Sequence, residues 1–114
     1  MDSILTTIKK LLGIEESQTH FDADIIVGIN TAFSIATQIG VGPETGFSIT
    51  DSTAVWTDFL PDMKQHELIK SYVHLKTKLL FDPPMSSFLI EIINKQIQEL
   101  EFRLSILGDQ STTT

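Results

Sequence analysis

Three histidines, His20, His66 and His74, and a scatter of aspartates are the side chains here whose types could carry chemistry. A shared metal ion asks for ligands one helical turn apart, whereas His66 and His74 are separated by about two turns. They read as solvated residues on polar faces. Asp22 and Asp24 flank a helix start, where carboxylates favour the helix dipole, so capping explains them better than acid–base catalysis does. Asp51, Asp58 and Asp62 sit among turns without the spaced glycine and glutamate of a calcium loop. No nucleophile elbow, phosphate-binding glycine loop or dinucleotide fingerprint occurs. With no cysteine in the chain, thiolate zinc sites and cysteine nucleophiles are excluded as well. The reading is therefore no catalytic residue, no metal, no cofactor and no enzyme.

The elements have something other than a reaction to position. The 114 residues suffice for one domain, which at this size buries roughly two-thirds of its unfolded surface without staples. Fifteen acidic against eight basic residues leave a net charge of −7. That balance opposes binding to phosphate backbones, yet a negative wall can let a duplex pass without gripping it. No apolar run approaches the ~20 residues of a membrane span. Asp2 precedes the first apolar residues and no positive segment leads them, so no secretory signal is expected. A soluble protein made in the cytoplasm is the expectation.

The strongest pattern lies between Met63 and Leu107. Leu68, Ile69, Tyr72, Val73, Leu75, Leu79 and Leu80 recur three and four apart, and so do Leu89, Ile93, Ile97, Leu100, Leu104 and Leu107. Such spacings place side chains on one helix face, because each residue turns the chain by about 100°. Pro83 and Pro84 cannot continue the first helix, so the two should fold back as a hairpin that carries the core, with Phe81 between them. Upstream, Ile4, Leu5, Ile8, Leu11 and Leu12 form the stripe of a short helix capped by Asp2 or Ser3. Ile25, Ile29, Ala32, Phe33, Ala36 and Ile39 line another, with Asp22 as N-cap, a Phe21–Ile26 staple and Gly40 at its end. Gly28 on this helix suggests close approach of a neighbouring helix. From Gly40 to Pro61 the helical signal lapses. Phe47-Ser48-Ile49-Thr50 alternates like a half-buried strand, while Val55-Trp56 and Phe59-Leu60 suit either a partner strand or one helical turn. The fold class is mainly α: a single four-helix domain over residues 1–108, with a C-terminal helical hairpin and a small β-like or irregular insertion between helices 2 and 3. Residues 109–114 read as a flexible polar tail.

The order and spacing of several segments carry a resemblance. They are Ser3–Gly13, Phe21–Ile26, Gly40-Val41-Gly42-Pro43 with Gly46–Asp51, Lys70–Pro84, and Ile93–Leu104. Together they resemble the small head–tail connector, or neck adaptor, proteins of tailed phages and prophages. The resemblance implies a structural virion protein that joins the portal ring to the next neck or tail component and continues the DNA channel. It implies partners of two kinds, the portal and the next neck protein, and a homo-oligomeric ring in the virion neck, with a monomer compatible with the isolated state. Neither membrane nor specific nucleic-acid binding is expected. The alternative is a generic helical interaction module that dimerises.

A ring with heterologous contacts needs two different adhesive surfaces on each subunit. The interface candidates are Phe47, Ile49, Trp56 and Phe59 in the loop, and Phe88, Phe102 and Ile106 off the main stripe of the last helix. The loop aromatics fit two readings equally: a local mini-core, or an anchor for a partner. Lys76 falls within an apolar arc, as a lysine snorkelling at the core edge or as one half of an ion pair. The segment from about Phe102 and the loop from Gly42 to Pro61 are expected to order on docking, so that deletion after Glu101 would leave a folded chain that no longer associates with portal rings.

Overall fold

The computed structural model describes residues 3–112, with the side chains of Met63 and residues 109–112 outside that description. Five helices follow in order: α1 (Ile4–Leu11), α2 (Asp22–Ile39), the single turn α3 (Trp56–Phe59), α4 (His66–Phe81) and α5 (Ser87–Thr112), with a 3-10 turn at Met63–Gln65 leading into α4. The four longer helices match those read from periodicity. No strand occurs among the described residues; the one β-like feature is an isolated bridge between Ser3 and Val55.

Each helix start has a local cause. Ser3 caps α1, its hydroxyl accepting from the Thr6 amide. Ser86 does the same for α5 at Leu89 N–H. Asp62 accepts from the Lys64 amide at the approach to α4. The start of α2 departs from expectation, since Asp22 is already helical and Phe21 holds the N-cap position without a side-chain bond. Asp22 faces Lys9 instead, 2.9 Å away. Phe21 sets its ring edge-on against Phe81 at 5.5 Å between centroids. At the far end of α2, Gly40 takes φ of 104°, the left-handed conformation that closes a helix at little cost only with glycine.

The most extensive packing joins α2 to α4, rather than α4 to α5 as the hairpin reading expected. Gly28 is the reason. A Cβ there would lie 2.9 Å from Thr77 Cγ2 and 3.3 Å from Thr77 Cα, so the two backbones meet at this level. Ile25, Ile29, Ala32, Phe33 and Ala36 of α2 are buried against Ile69, Tyr72 and Val73 of α4, and Ile97 and Leu104 of α5 close the core. The four residues Leu11, Leu80, Leu89 and Phe21 are exposed despite their apolar register or stapling role. Phe81 is half-buried against Phe21 rather than filling the α4–α5 interface. Leu104 is fully buried, which corrects the expectation that the chain beyond Glu101 is dispensable for folding. The α5 backbone also stays helical to Thr112, into the segment read as a polar tail.

The insertion is ordered by packing. Asn30 on α2 donates to the Ile49 carbonyl at 3.0 Å and accepts from the Ile49 amide at 2.8 Å. One side-chain amide thus supplies the two bonds a neighbouring strand would make, which is why the alternating Phe47–Thr50 run is held against α2 without being in a sheet. Trp56 and Phe59 resolve as the helical turn α3. Their rings, with Phe47, surround Phe33 of α2 at centroid distances of 4.4 to 6.1 Å. Such aromatic pairs contribute about 0.5–1.5 kcal/mol each beyond their buried area.

Candidate docking surfaces

Of the buried polar side chains, Lys9 and His66 are already occupied by the fold. Lys9 is almost fully buried; its ammonium donates to the carbonyls of Glu16 and Gln18 and pairs with Asp22. Those three partners converge from the α1–α2 connection, so one lysine fixes that loop. A buried charge is tolerated only with this kind of saturation. The His66 ring shares a 2.6 Å hydrogen bond with the Leu60 carbonyl, in which Nε2 must carry the proton. His74 lies on α4 beside α5, and burial first, then the Lys78 charge, lowers its pKa below the ordinary histidine value. Tyr72 is buried on the facing side of α4 and donates to Glu101 of α5 at 2.9 Å. Burial, followed by the Glu101 carboxylate, pushes the phenol pKa well above its usual value.

Among the described residues no cluster of three His, Asp or Glu side chains could hold a metal ion. No helix among them is long and apolar enough to cross a membrane.

Two apolar features stand out. The first is a groove of about 790 Å³ where the α1–α2 connection meets the end of α4, lined chiefly by Leu12, Ile14, Phe21, Val27, Leu80 and Phe81. The second is α5 itself. Its inner stripe carries Ile97 and Leu104 into the core, while Phe88, Ile92, Phe102 and Ile106 stand 67, 37, 65 and 44 % exposed on the opposite side. Met85 at the α4–α5 corner is fully exposed beside them.

The interface candidates divide accordingly. Phe88, Phe102 and Ile106 present open apolar surface. Ile49, Trp56 and Phe59 are buried, and Phe47 is half-buried among them, so in this structure the loop aromatics form the local core. Trp56 further fixes itself by donating its indole N–H to Thr7 at 3.2 Å, with the Lys70 ammonium 5.8 Å from its ring. Lys76 is half-buried on α4 and makes no ion pair among the described residues. Sequence reasoning passed over Lys9, Asn30, Glu101 and the groove. For Lys9 and Glu101 a signal existed: each is a charged residue in the register of a buried stripe, four residues after Leu5 and Ile97 respectively, and needs a partner there.

Comparison with known proteins now adds to this geometry. The family model described as phage connector protein matches residues 4–111, which spans all five helices. No curated protein and no solved structure gives a match. A mainly helical chain with exposed apolar surface is consistent with that match, and the chain belongs to the phage connector protein family, structural and non-enzymatic components of the virion with a head–tail connector role.

Proposed function

We propose that this protein is a neck adaptor that docks on the portal ring, receives the next neck or tail component and continues the channel through which DNA passes. The family match over residues 4–111 carries the reading. Two structural features support it. The molecule has two unlike apolar surfaces, the groove around Phe21 and the outer face of α5, as a ring with heterologous contacts requires. Its net charge of −7 suits a channel wall that repels DNA and so lets it slide. A homo-oligomeric ring matching the portal's symmetry follows from the same reading, with the loop aromatics serving as the rigid core behind the docking faces.

The test is electron microscopy of portal rings mixed with the purified chain. An added annular layer on the portal is expected, and Val27→Asp or Phe102→Asp should abolish it while leaving the chain helical. Portals that remain bare at saturating concentrations of the wild-type chain would overturn the assignment.

A further inference from the structure

The exposed face of α5 carries a pattern that a portal contact does not call for. Phe88, Ile92, Lys95, Glu99, Phe102 and Ile106 follow one another at spacings of four, three, four, three and four. At about 100° per residue they fall within an arc of roughly 80°, and they extend about 27 Å along the helix. This is a heptad seam of about three repeats on the side of α5 that faces away from the core. It is also symmetric in position and opposite in charge about the level of Ile97. Phe88 and Ile106 lie equally far to either side of that level, as do Ile92 and Phe102, and as do Lys95 and Glu99. Lys95 and Glu99 are both exposed; Glu99 holds only the surface pair with Arg103, at 2.8 Å. An exposed pair of that kind contributes little and exchanges easily.

We propose that this face is covered, in the free protein, by the same face of a second copy running antiparallel about a two-fold axis at Ile97. In that arrangement Phe88 of one copy meets Ile106 of the other, Ile92 meets Phe102, and the two central levels each pair Lys95 with Glu99. A parallel copy would instead set Lys95 against Lys95 and Glu99 against Glu99, so the charge pattern selects one orientation. The contact is isologous and closes on itself, unlike the heterologous contacts of a ring. It would shield four apolar side chains per copy until a neck partner displaces it. A seam this short belongs with interfaces below about 1,200 Å², the weak and exchangeable class. The proposal does not rest on the portal assignment, because it concerns the free chain.

Sedimentation equilibrium at physiological salt tests it, across micromolar to millimolar concentrations. The wild type should pass from monomer to dimer with rising concentration. Lys95→Glu and Glu99→Lys, each placing like charges at both central levels, should each weaken self-association about tenfold or more. Mixing these two variants should restore dimers, as heterodimers with both pairs complementary, and the double exchange K95E/E99K should dimerise like wild type. Both positions concerned are on exposed surface, and circular dichroism checks that each variant stays folded. A wild type that remains monomeric throughout, single variants that associate as tightly as wild type, or a mixture that stays monomeric would each overturn the proposal.

Discussion

Gly28→Ala sets two effects of known size against each other where α2 meets α4. Alanine in a helix interior is favoured over glycine by about 1 kcal/mol, so an open α2 surface would gain stability. At this position the new methyl meets Thr77 Cγ2 at 2.9 Å and, behind it, Thr77 Cα at 3.3 Å. Rotating the Thr77 side chain clears the first contact but not the second, and Thr77 is fully buried, with little space to rotate into. The helices must therefore separate by a few tenths of an ångström along their main interface. Overpacking of this kind costs about 1–3 kcal/mol, so a net loss of about 1–2 kcal/mol is expected. Urea denaturation followed by circular dichroism measures it as a lower midpoint with an unchanged slope. The same substitution in a Thr77→Ser background, which lacks Cγ2, should cost less, with a coupling of about 1 kcal/mol between the sites. A Gly28→Ala variant more stable than wild type by about 1 kcal/mol, the helix-propensity gain alone, would show that α2 and α4 are not in backbone contact there.

The Tyr72–Glu101 bond gives a prediction in pH. Its phenol pKa is raised in the folded state, while the unfolded chain titrates near the ordinary value of about 10. Above that pH the unfolded state sheds a proton that the native state keeps, so stability falls as pH rises from about 10 upward. Tyr72→Phe should lower stability by about 1 kcal/mol at neutral pH through the lost bond and flatten the alkaline decline; an unchanged alkaline slope would remove Tyr72 as its source. Leu104→Ala, in a fully buried site, should cost about 2–5 kcal/mol by chemical denaturation, and a loss below about 0.5 kcal/mol would mean that the end of α5 is not seated in the core.

What the sequence disclosed and what it withheld follow one physical division. Apolar periodicity and stop residues are local, so the four long helices, the Gly40 terminus and the proline corner were legible. Gly28 was read as a close-approach site, and the structure supplies its counterpart, Thr77. The choice of which helix pair dominates was not local. The α4 and α5 stripes stand out because α4 carries seven stripe residues and α5 the longest run, but the small residues of α2 let that helix pack more extensively on α4 than α5 does. Of the two forms open for the insertion, β-like or irregular, the β-like one fails for a related reason. Alternation at Phe47–Thr50 records which side chains are buried, whereas strand formation also needs backbone partners, and Asn30 provides them from a distant position. The loop aromatics could be core or anchor on composition alone; only their placement around Phe33 distinguishes the two.

The helix α5 is both an inner wall and an outer surface. Ile97 and Leu104 hold it in the core, while Phe88, Ile92, Phe102 and Ile106 alternate with them along the same turns on the other side. The cut after Glu101 removes both roles at once: it would take away Leu104 together with Phe102 and Ile106. Loss of association in such a truncation therefore carries no information about docking. Point charges on the outer stripe do separate the roles, since those positions are exposed and lie outside the core contacts. The same duality explains why an acidic chain tolerates this much apolar surface. The residues that could move the seam inward are excluded by the inner stripe already packed there, so the outer stripe has only another chain to pack against.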